Sequence, residues 1–179
     1  MGLIGPVLLP LIYLSALGLV LSFLVHVSSL LGLASALGES AWLLHIGIFV
    51  VWLPALLAIQ SLTREFKRKE LWRAALRGCP RWMRWMTYGF FGYAFVNFAL
   101  FIVMVPGRGG SSETPLVVFR GFSGHWMAFY SAALAIFYSA RHAAEYDRGR
   151  QCVAGHPVGP LANYCEECGR PILKSPEPV

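Results

Sequence analysis

The segment AWLLHIGIFVVWLPALLAIQSL, residues 41–62, is followed directly by TREFKRKELWRAALRGCPRWMR, residues 63–84. The first segment contains no Asp, Glu, Lys or Arg, and a helix of about 20 apolar residues is long enough to cross a bilayer. The second segment holds eight of the chain's fifteen basic residues and two acidic residues. Because basic residues accumulate in cytoplasmic loops, the two segments predict a membrane-spanning helix followed by a cytoplasmic loop.

Three further apolar stretches, residues 6–31, 85–105 and 122–140, also lack charged residues in their interiors. The whole chain of 179 residues is 56% hydrophobic and 13% charged, whereas soluble domains contain about 45–50% apolar and about 25% charged residues. This composition excludes an ordinary soluble enzyme. We therefore predict an all-α integral membrane protein, with a four-transmembrane-helix bundle over residues 1–141 and a small tail over residues 142–179.

The remaining basic residues predict the orientation of the bundle. Five follow the fourth span and two fall in the loop between spans three and four: Arg141, Arg148, Arg150, Arg170 and Lys174, then Arg108 and Arg120. Thirteen basic residues against two place both termini in the cytoplasm, with the loops 32–40 and 106–121 outside. The predicted location is a bacterial inner membrane, which the chain crosses several times.

A cleaved signal peptide is the main alternative for the first span, because Ala34, Ser35 and Ala36 resemble a small-residue cleavage site. The first apolar run is longer than the 7–15 residues of a signal-peptide core, and no basic segment precedes it. We therefore expect the first span to be retained.

The loop at residues 63–84 carries a net charge of +6, equal to the formal charge of the whole chain. Five apolar residues are interspersed with its charges at spacings that would let a short helix lie on the membrane surface, namely Phe66, Leu71, Trp72, Ala75 and Leu76. This pattern predicts contact between the loop and anionic lipid head groups. The alternative interpretation is that the charges only set the topology and form a solvated face.

The tail contains four residues that are able to bind a metal ion. Cys152, His156, Cys165 and Cys168 follow the pattern Cys-x3-His-x8-Cys-x2-Cys, and three thiolates with one imidazole can close a tetrahedron around a metal. Zinc is the leading candidate, although the same ligands would accept iron. Gly169 follows the last cysteine, and glycine can adopt the positive φ that a turn requires at this position.

The segment CVAGHPVGPLANYCEECGRPI, residues 152–172, resembles small bacterial zinc ribbons that read Cys-x2-Gly-His and then Ala-x-aromatic-Cys-x2-Cys-Gly. The resemblance implies that Cys152, His156, Cys165 and Cys168 bind one structural Zn²⁺. It implies no catalysis, because a closed four-ligand site leaves no position for water or substrate. It covers only the tail and gives no information about the membrane part.

Some zinc ribbons bind nucleic acid, but the charge of this tail argues against that function. From Arg141 to Val179 the chain has five basic and five acidic residues, whereas binding to phosphates needs a net positive surface. We therefore predict no nucleic-acid partner, and a protein partner for the ribbon.

Three histidines form a second candidate site within the predicted spans: His26 in the first, His45 in the second and His125 in the fourth. At a rise of 1.5 Å per residue, each lies roughly 5–8 Å below the outer end of its helix. Histidines at one depth on neighbouring helices can hold haem b or a transition metal. The alternative is that these side chains are structural or interfacial, with hydrogen bonds to neighbouring helices.

Two functions follow from these sites. The first is a non-catalytic accessory subunit or adaptor, whose bundle packs against other membrane subunits while the ribbon binds a cytosolic protein. The alternative is an electron-transfer protein that binds haem b or a metal through His26, His45 and His125. No predicted span carries a constellation typical of a hydrolase, and no span carries the charged residue expected of a transporter. An enzyme is therefore less favoured.

Overall fold

The computed structural model describes residues 7–33, 38–104, 114–148 and 150–172, and the regular secondary structure of these residues is helical, without strands. Five α-helices follow one another along the chain: α1 (Leu8–Leu30), α2 (Trp42–Thr63), α3 (Leu71–Ala75), α4 (Arg81–Met104) and α5 (Thr114–Arg148). Short 3-10 turns at Gly38–Ala41 and Arg68–Glu70 precede α2 and α3. The prediction of an all-α chain is confirmed for these residues.

Three helices are long and apolar enough to cross a membrane, namely Leu8–Leu30, Glu39–Thr63 and Arg81–Val103. They correspond to the first three predicted spans. Large apolar side chains are exposed along most of the outer surface of these three helices. The exposure of so large an apolar area to water would be unfavourable. The chain is therefore consistent with a membrane protein. Pro54 lies inside α2, and the helix continues through it.

The fourth predicted span, residues 122–140, lies within α5, which occupies the centre of the helical part. The helices α1, α2 and α4 each pack against α5, whereas α1 and α2 contact each other over a small area. Large side chains of α5 such as Trp126, Ile136 and Phe137 are completely buried. Since α5 faces protein on several sides, it can contain serine and histidine, and its composition is less apolar than that of the three surrounding helices.

Two helix boundaries differ from the prediction. Helix α4 begins at Arg81, directly after Pro80, although the apolar stretch begins at residue 85. Basic side chains are tolerated near the end of a membrane helix because their charged tips reach the interface. Helix α5 begins at Thr114, so the second half of the predicted outer loop 106–121 is helical. Proline is favoured in a first helical turn, where its missing N–H costs nothing, and Pro115 occupies such a position.

Three features of the sequence lie outside the described residues, in whole or in part. They are the alternative cleavage site at Ala34–Ala36, the Gly- and Ser-rich part of the second outer loop, and the end of the tail.

One close contact holds α1, α2 and α5 together. The ring of Tyr130 on α5 packs against Gly18 on α1, where a Cβ atom would lie 2.3 Å from the ring. The Tyr130 hydroxyl donates a 2.8 Å hydrogen bond to the Leu44 carbonyl on α2. Small residues allow helices to approach closely in membrane bundles, and this tyrosine uses the space that Gly18 leaves.

The connection between α2 and α4 is folded against the bundle. Ala74, Ala75 and Leu76 are buried in protein, so the apolar residues of this segment do not all lie on a membrane surface as the sequence suggested. The Arg77 Nε atom donates to both carboxylate oxygens of Asp147, at 3.1 and 3.0 Å. Because Asp147 is near the end of α5, this ion pair places the basic loop and the end of α5 on the same side of the bundle.

Candidate metal centre

Four side chains come together in the tail at the positions that the sequence indicated. The ligand atoms of Cys152, His156, Cys165 and Cys168 all lie within 4.8 Å of one another. Cys152 Sγ is 3.7 Å from Cys168 Sγ, and Cys165 Sγ is 3.7 Å from His156 Nδ1. These separations suit four ligands around one ion, because metal–sulfur and metal–nitrogen bonds of about 2.0–2.3 Å separate tetrahedral ligands by roughly 3.5 Å.

Two similar backbone turns position the ligands. In the first, the Gly155 amide donates to the Cys152 carbonyl at 2.9 Å; in the second, the Gly169 amide donates to the Cys165 carbonyl at 2.9 Å. Gly155 and Gly169 adopt φ values of 83° and 66°, which side chains with a Cβ rarely adopt. The positive φ predicted for Gly169 is therefore confirmed.

An isolated antiparallel bridge between Cys152 and Ile172 joins the two turns, and another between Tyr164 and Pro171 closes the second turn. The Ile172 amide donates to the Asn163 carbonyl at 3.2 Å. Val153 and Tyr164 are mostly exposed, so few apolar side chains are buried in this segment. A metal ion bound by the four ligands would supply the stabilisation that a small core cannot.

The thiols of the cluster affect one another's ionisation. Burial alone would raise the pKa of Cys152, but hydrogen bonds from the backbone amides of His156 and Ala154 and from the neighbouring thiols lower it to about 7. For Cys168, the Arg170 amide lowers the pKa, but burial and the neighbouring thiols Cys165 and Cys152 outweigh that effect and raise it. A bound divalent cation would stabilise all the thiolates together and so offset the repulsion between neighbouring thiolates.

Arg150 joins the metal cluster to α5. Its guanidinium donates to the Ala162 carbonyl at 2.7 Å and to the Pro160 carbonyl, and it lies over the ring of Tyr146 at 5.7 Å from the centroid. Tyr146 belongs to the last turn of α5. The segment that carries the ligands is therefore fixed to the end of the central helix.

The donor set of three sulfurs and one nitrogen fits a metal ion of the soft or borderline class, such as Zn²⁺ or iron. Four ligands from the protein complete a tetrahedron and leave no position open for substrate, which is the pattern of a structural site. Glu167 Oε2 lies 3.5 Å from His156 Nδ1 beside the cluster. Throughout the described residues, no second group of three or more such side chains converges.

The three histidines of the helical part lie at a similar level of α5, and each has its own contacts. His26 on α1 contacts Ser123, His45 on α2 contacts Trp126, and His125 belongs to α5 itself. Ser123 and Trp126 are about 4.5 Å apart along the helix axis, and successive residues are rotated by about 100° around it. The structure thus brings these rings to a similar depth without gathering all three around one point.

Both ring nitrogens of His26 are occupied. Its Nδ1 is 2.7 Å from Ser123 Oγ, and its Nε2 is 2.5 Å from the Tyr93 hydroxyl. Because the Ser123 hydroxyl donates to the Arg120 carbonyl at 3.3 Å, Nδ1–H donates to Ser123 and Tyr93 donates to Nε2. His26 therefore offers no free lone pair to a haem or a metal in this arrangement.

Sequence reasoning did not find these partners, because Ser123, Tyr93 and Trp126 have no characteristic spacing from the histidines they contact. It also treated Arg77 only as part of the topology signal. Its pairing with Asp147 joins residues 70 positions apart, so only the fold brings them together.

No protein-family model, no curated protein and no solved structure matches this chain.

Proposed function

We propose that this chain is a four-span membrane protein whose tail holds one structural zinc ion and which acts as a non-catalytic accessory subunit or adaptor. The observation that carries the proposal is the four-ligand cluster Cys152, His156, Cys165 and Cys168. A cluster with four protein ligands stabilises a fold and presents a surface, but it does not activate water or substrate.

The position of α5 supports its assignment as the fourth span. Its 35 residues extend for about 52 Å, well beyond the roughly 30 Å of a hydrocarbon core. Three candidate spans surround it, so its serines are sheltered from lipid. With α5 crossing the membrane, the basic loop and the tail lie on one side, which the positive-inside rule assigns to the cytoplasm.

The chemistry of the ligands supports zinc as the ion. Three thiolates and an imidazole are a common set for structural Zn²⁺, and the tail resembles bacterial zinc ribbons over residues 152–172. Iron is the competing ion, and elemental analysis separates the two.

A protein partner is favoured for the tail, because its basic and acidic residues balance and because it exposes Val153 and Tyr164 beside the metal ligands. The apolar outer faces of α1, α2 and α4 are suited to contact with lipid or with other membrane subunits. The basic loop adds a surface for anionic lipid head groups.

Metal analysis of the protein purified in mild detergent tests the metal assignment. We expect one zinc per chain, loss of that zinc in Cys165→Ser, and its retention in Glu166→Gln, which changes an exposed neighbour of the same ligand. Iron in place of zinc, or no difference between the two variants, would contradict the assignment.

A detergent pull-down tests the adaptor function. The full chain and a version that ends before Cys152 are tagged in the same way, and their co-purifying proteins are compared. We expect the shorter version to lose at least one cytosolic partner. If it keeps every partner, the tail is not an adaptor.

An electron-transfer protein with haem b or a metal at the histidines is the alternative hypothesis, and the common depth of the three rings is the observation in its favour. The absorption spectrum of the gently purified protein distinguishes it, because haem gives a Soret band. A protein without that band and without stoichiometric copper or iron would exclude this function.

A further inference from the structure

Hydrogen bonds fix which nitrogen carries the proton in His45 and in His125. Trp126 Nε1–H can only donate, and it lies 3.0 Å from His45 Nδ1, so the neutral His45 ring carries its proton on Nε2. The Gly121 carbonyl can only accept, and it lies 3.2 Å from His125 Nδ1, so the neutral His125 ring has its lone pair on Nε2. The two rings are therefore complementary: one offers a donor and the other an acceptor.

A continuous series of ring contacts joins these two histidines. The centroids are 5.9 Å apart between His45 and Phe122, 6.1 Å between Phe122 and Phe101, 6.1 Å between Phe101 and Phe98, and 4.7 Å between Phe98 and His125. We call these five residues the aromatic groove. Phe122 is its floor, with α2 on one side and α4 on the other.

The groove exists because α2 and α4 each pack against α5 without a substantial contact with each other. Its rings are partly exposed. Among the described residues, neither His45 Nε2 nor His125 Nε2 has a hydrogen-bond partner. In a bilayer no water is present to satisfy them, so a polar ligand that pairs with both nitrogens would be stabilised there.

We infer that the aromatic groove binds a lipid-soluble para-hydroquinone. Its planar ring would lie against Phe122, one oxygen would accept a hydrogen bond from His45 Nε2–H, and the opposite O–H would donate to His125 Nε2. An acyl chain would satisfy neither nitrogen. Axial ligation of haem by both histidines would need two free lone pairs, and the groove offers one. The inference rests on the membrane location in the proposed function, but it does not depend on the metal cluster.

The donor on His45 and the acceptor on His125 would together distinguish the reduced ligand from the oxidised ligand. A quinone has carbonyl oxygens only, so one of them would face the lone pair of His125 Nε2. A hydroquinone can donate to that lone pair. One hydrogen bond changes affinity by roughly two- to tenfold, and we expect the reduced form to bind more tightly by that factor.

The test uses the full chain in phosphatidylcholine nanodiscs, titrated without oxygen with a short-chain ubiquinol analogue and with its quinone. Quenching of tryptophan fluorescence reports binding, because Trp42 and Trp126 lie 6.0 and 6.3 Å from the His45 ring. We expect His125→Leu to abolish the preference for the reduced form and His45→Leu to weaken both ligands. His142→Leu is the matched control, since His142 is on α5 outside the groove and bonds a carbonyl in the same way.

Two further variants keep the test decisive if the leucine variants do not fold. His45→Gln retains an N–H donor and His125→Gln retains an acceptor, so both should keep measurable binding and the preference for the reduced form. Absence of saturable binding, equal affinity for the two forms in the unsubstituted protein, or a Soret band in the purified chain would overturn the inference. Cys165→Ser should lose zinc without affecting this titration, so failure of the groove and failure of the metal site give different results.

Discussion

Two thiols of this chain differ in their ionisation because their surroundings differ. Cys79 is completely buried against α5, where its thiol donates to the Ala135 carbonyl at 2.9 Å, and burial raises its pKa to about 12. Cys152, which receives hydrogen bonds from nearby amides, has a pKa lowered to about 7. The thiolate is the reactive form, so the local structure separates an inert structural thiol from one that is suited to bind a metal ion.

Cys79 should resist alkylation in the folded protein. At pH 8 we expect iodoacetamide to modify the three tail cysteines after chelation of the metal, but to modify Cys79 only after unfolding. Mass spectrometry of the modified peptides measures the labelling. Equal labelling of Cys79 in folded and unfolded protein would contradict the described packing.

The same thiol should make stability depend on pH. Because the pKa of Cys79 is higher in the folded state than its ordinary value of 9.0, the unfolded chain loses this proton first as the pH rises. The free energy of unfolding should therefore fall from about pH 9 towards pH 12.

Arg77 should matter more to stability than the other basic residues of its loop. Its side chain is 11% exposed, and it also donates at 2.8 Å to the carbonyls of Leu62 and Ala74. Arg77 Nε–H is shared between the two carboxylate oxygens of Asp147 while Nη1 bonds the two carbonyls, and the single ammonium group of lysine cannot reproduce this planar arrangement of donors. Since the pair is partly exposed, we expect Arg77→Lys to lower the free energy of unfolding by about 1–3 kcal/mol.

Thermal unfolding in detergent measures this effect, with Arg73→Lys as the matched control because Arg73 is exposed in the same segment. The control should leave the midpoint unchanged. A similar shift in both variants would mean that charge density, rather than the ion pair, stabilises the loop.

At the scale of secondary-structure elements, the packing of α1 on α5 depends on the space above Gly18. The Tyr130 ring is held in place by its hydrogen bond to Leu44, so it cannot move away freely. We expect Gly18→Val to force the two helices apart and to cost about 1–3 kcal/mol, the usual range for overpacking.

Gly89→Val is the control for this substitution. Gly89 is also helical, but a Cβ there has no atom within 4 Å, so valine should be tolerated. Midpoints of thermal unfolding in detergent give the comparison. If Gly18→Val were as stable as Gly89→Val, Tyr130 would not join these helices in the way described.

The elements that could be predicted from sequence are those whose signal is local. The runs in α1, α2 and α4 are long and apolar enough to cross a membrane, and Gly169 adopts the positive φ that its turn needs. The ends of α5 were missed, because a helix sheltered by its neighbours needs no uniform apolar run. The partners of His26 and Arg77 were missed because they are distant in sequence and meet only in the folded bundle.

At the scale of the whole molecule, the ion pair between Arg77 and Asp147 places the connection 64–80 and the end of α5 at one end of the bundle. We expect reporter fusions after residue 75 and after residue 148 to behave as cytoplasmic, and a fusion after residue 110 to behave as external. The reason is that thirteen of the fifteen basic residues lie either in residues 63–84 or after residue 140, and basic residues accumulate on the cytoplasmic side.

Paired reporters measure this topology, one active only in the cytoplasm and one active only outside. A fusion before Leu8 that reports the side opposite to the fusion after residue 148 would contradict the four-span arrangement, because an even number of spans keeps both ends on one side. An external result at residue 148 with a cytoplasmic result at residue 110 would mean an inverted protein.

The central place of α5 also has a consequence for biosynthesis. In the proposed four-span arrangement, α5 leaves the ribosome after α1, α2 and α4, so these three helices would enter the membrane before their main packing partner. During that interval the surface of α1 around Ser15, Gly18 and Ser22, which is buried in the finished bundle, would face lipid or an insertion factor. Assembly of the bundle would then follow insertion, and we expect chains that stop before α5 to be recognised by membrane quality control rather than to accumulate as partial bundles.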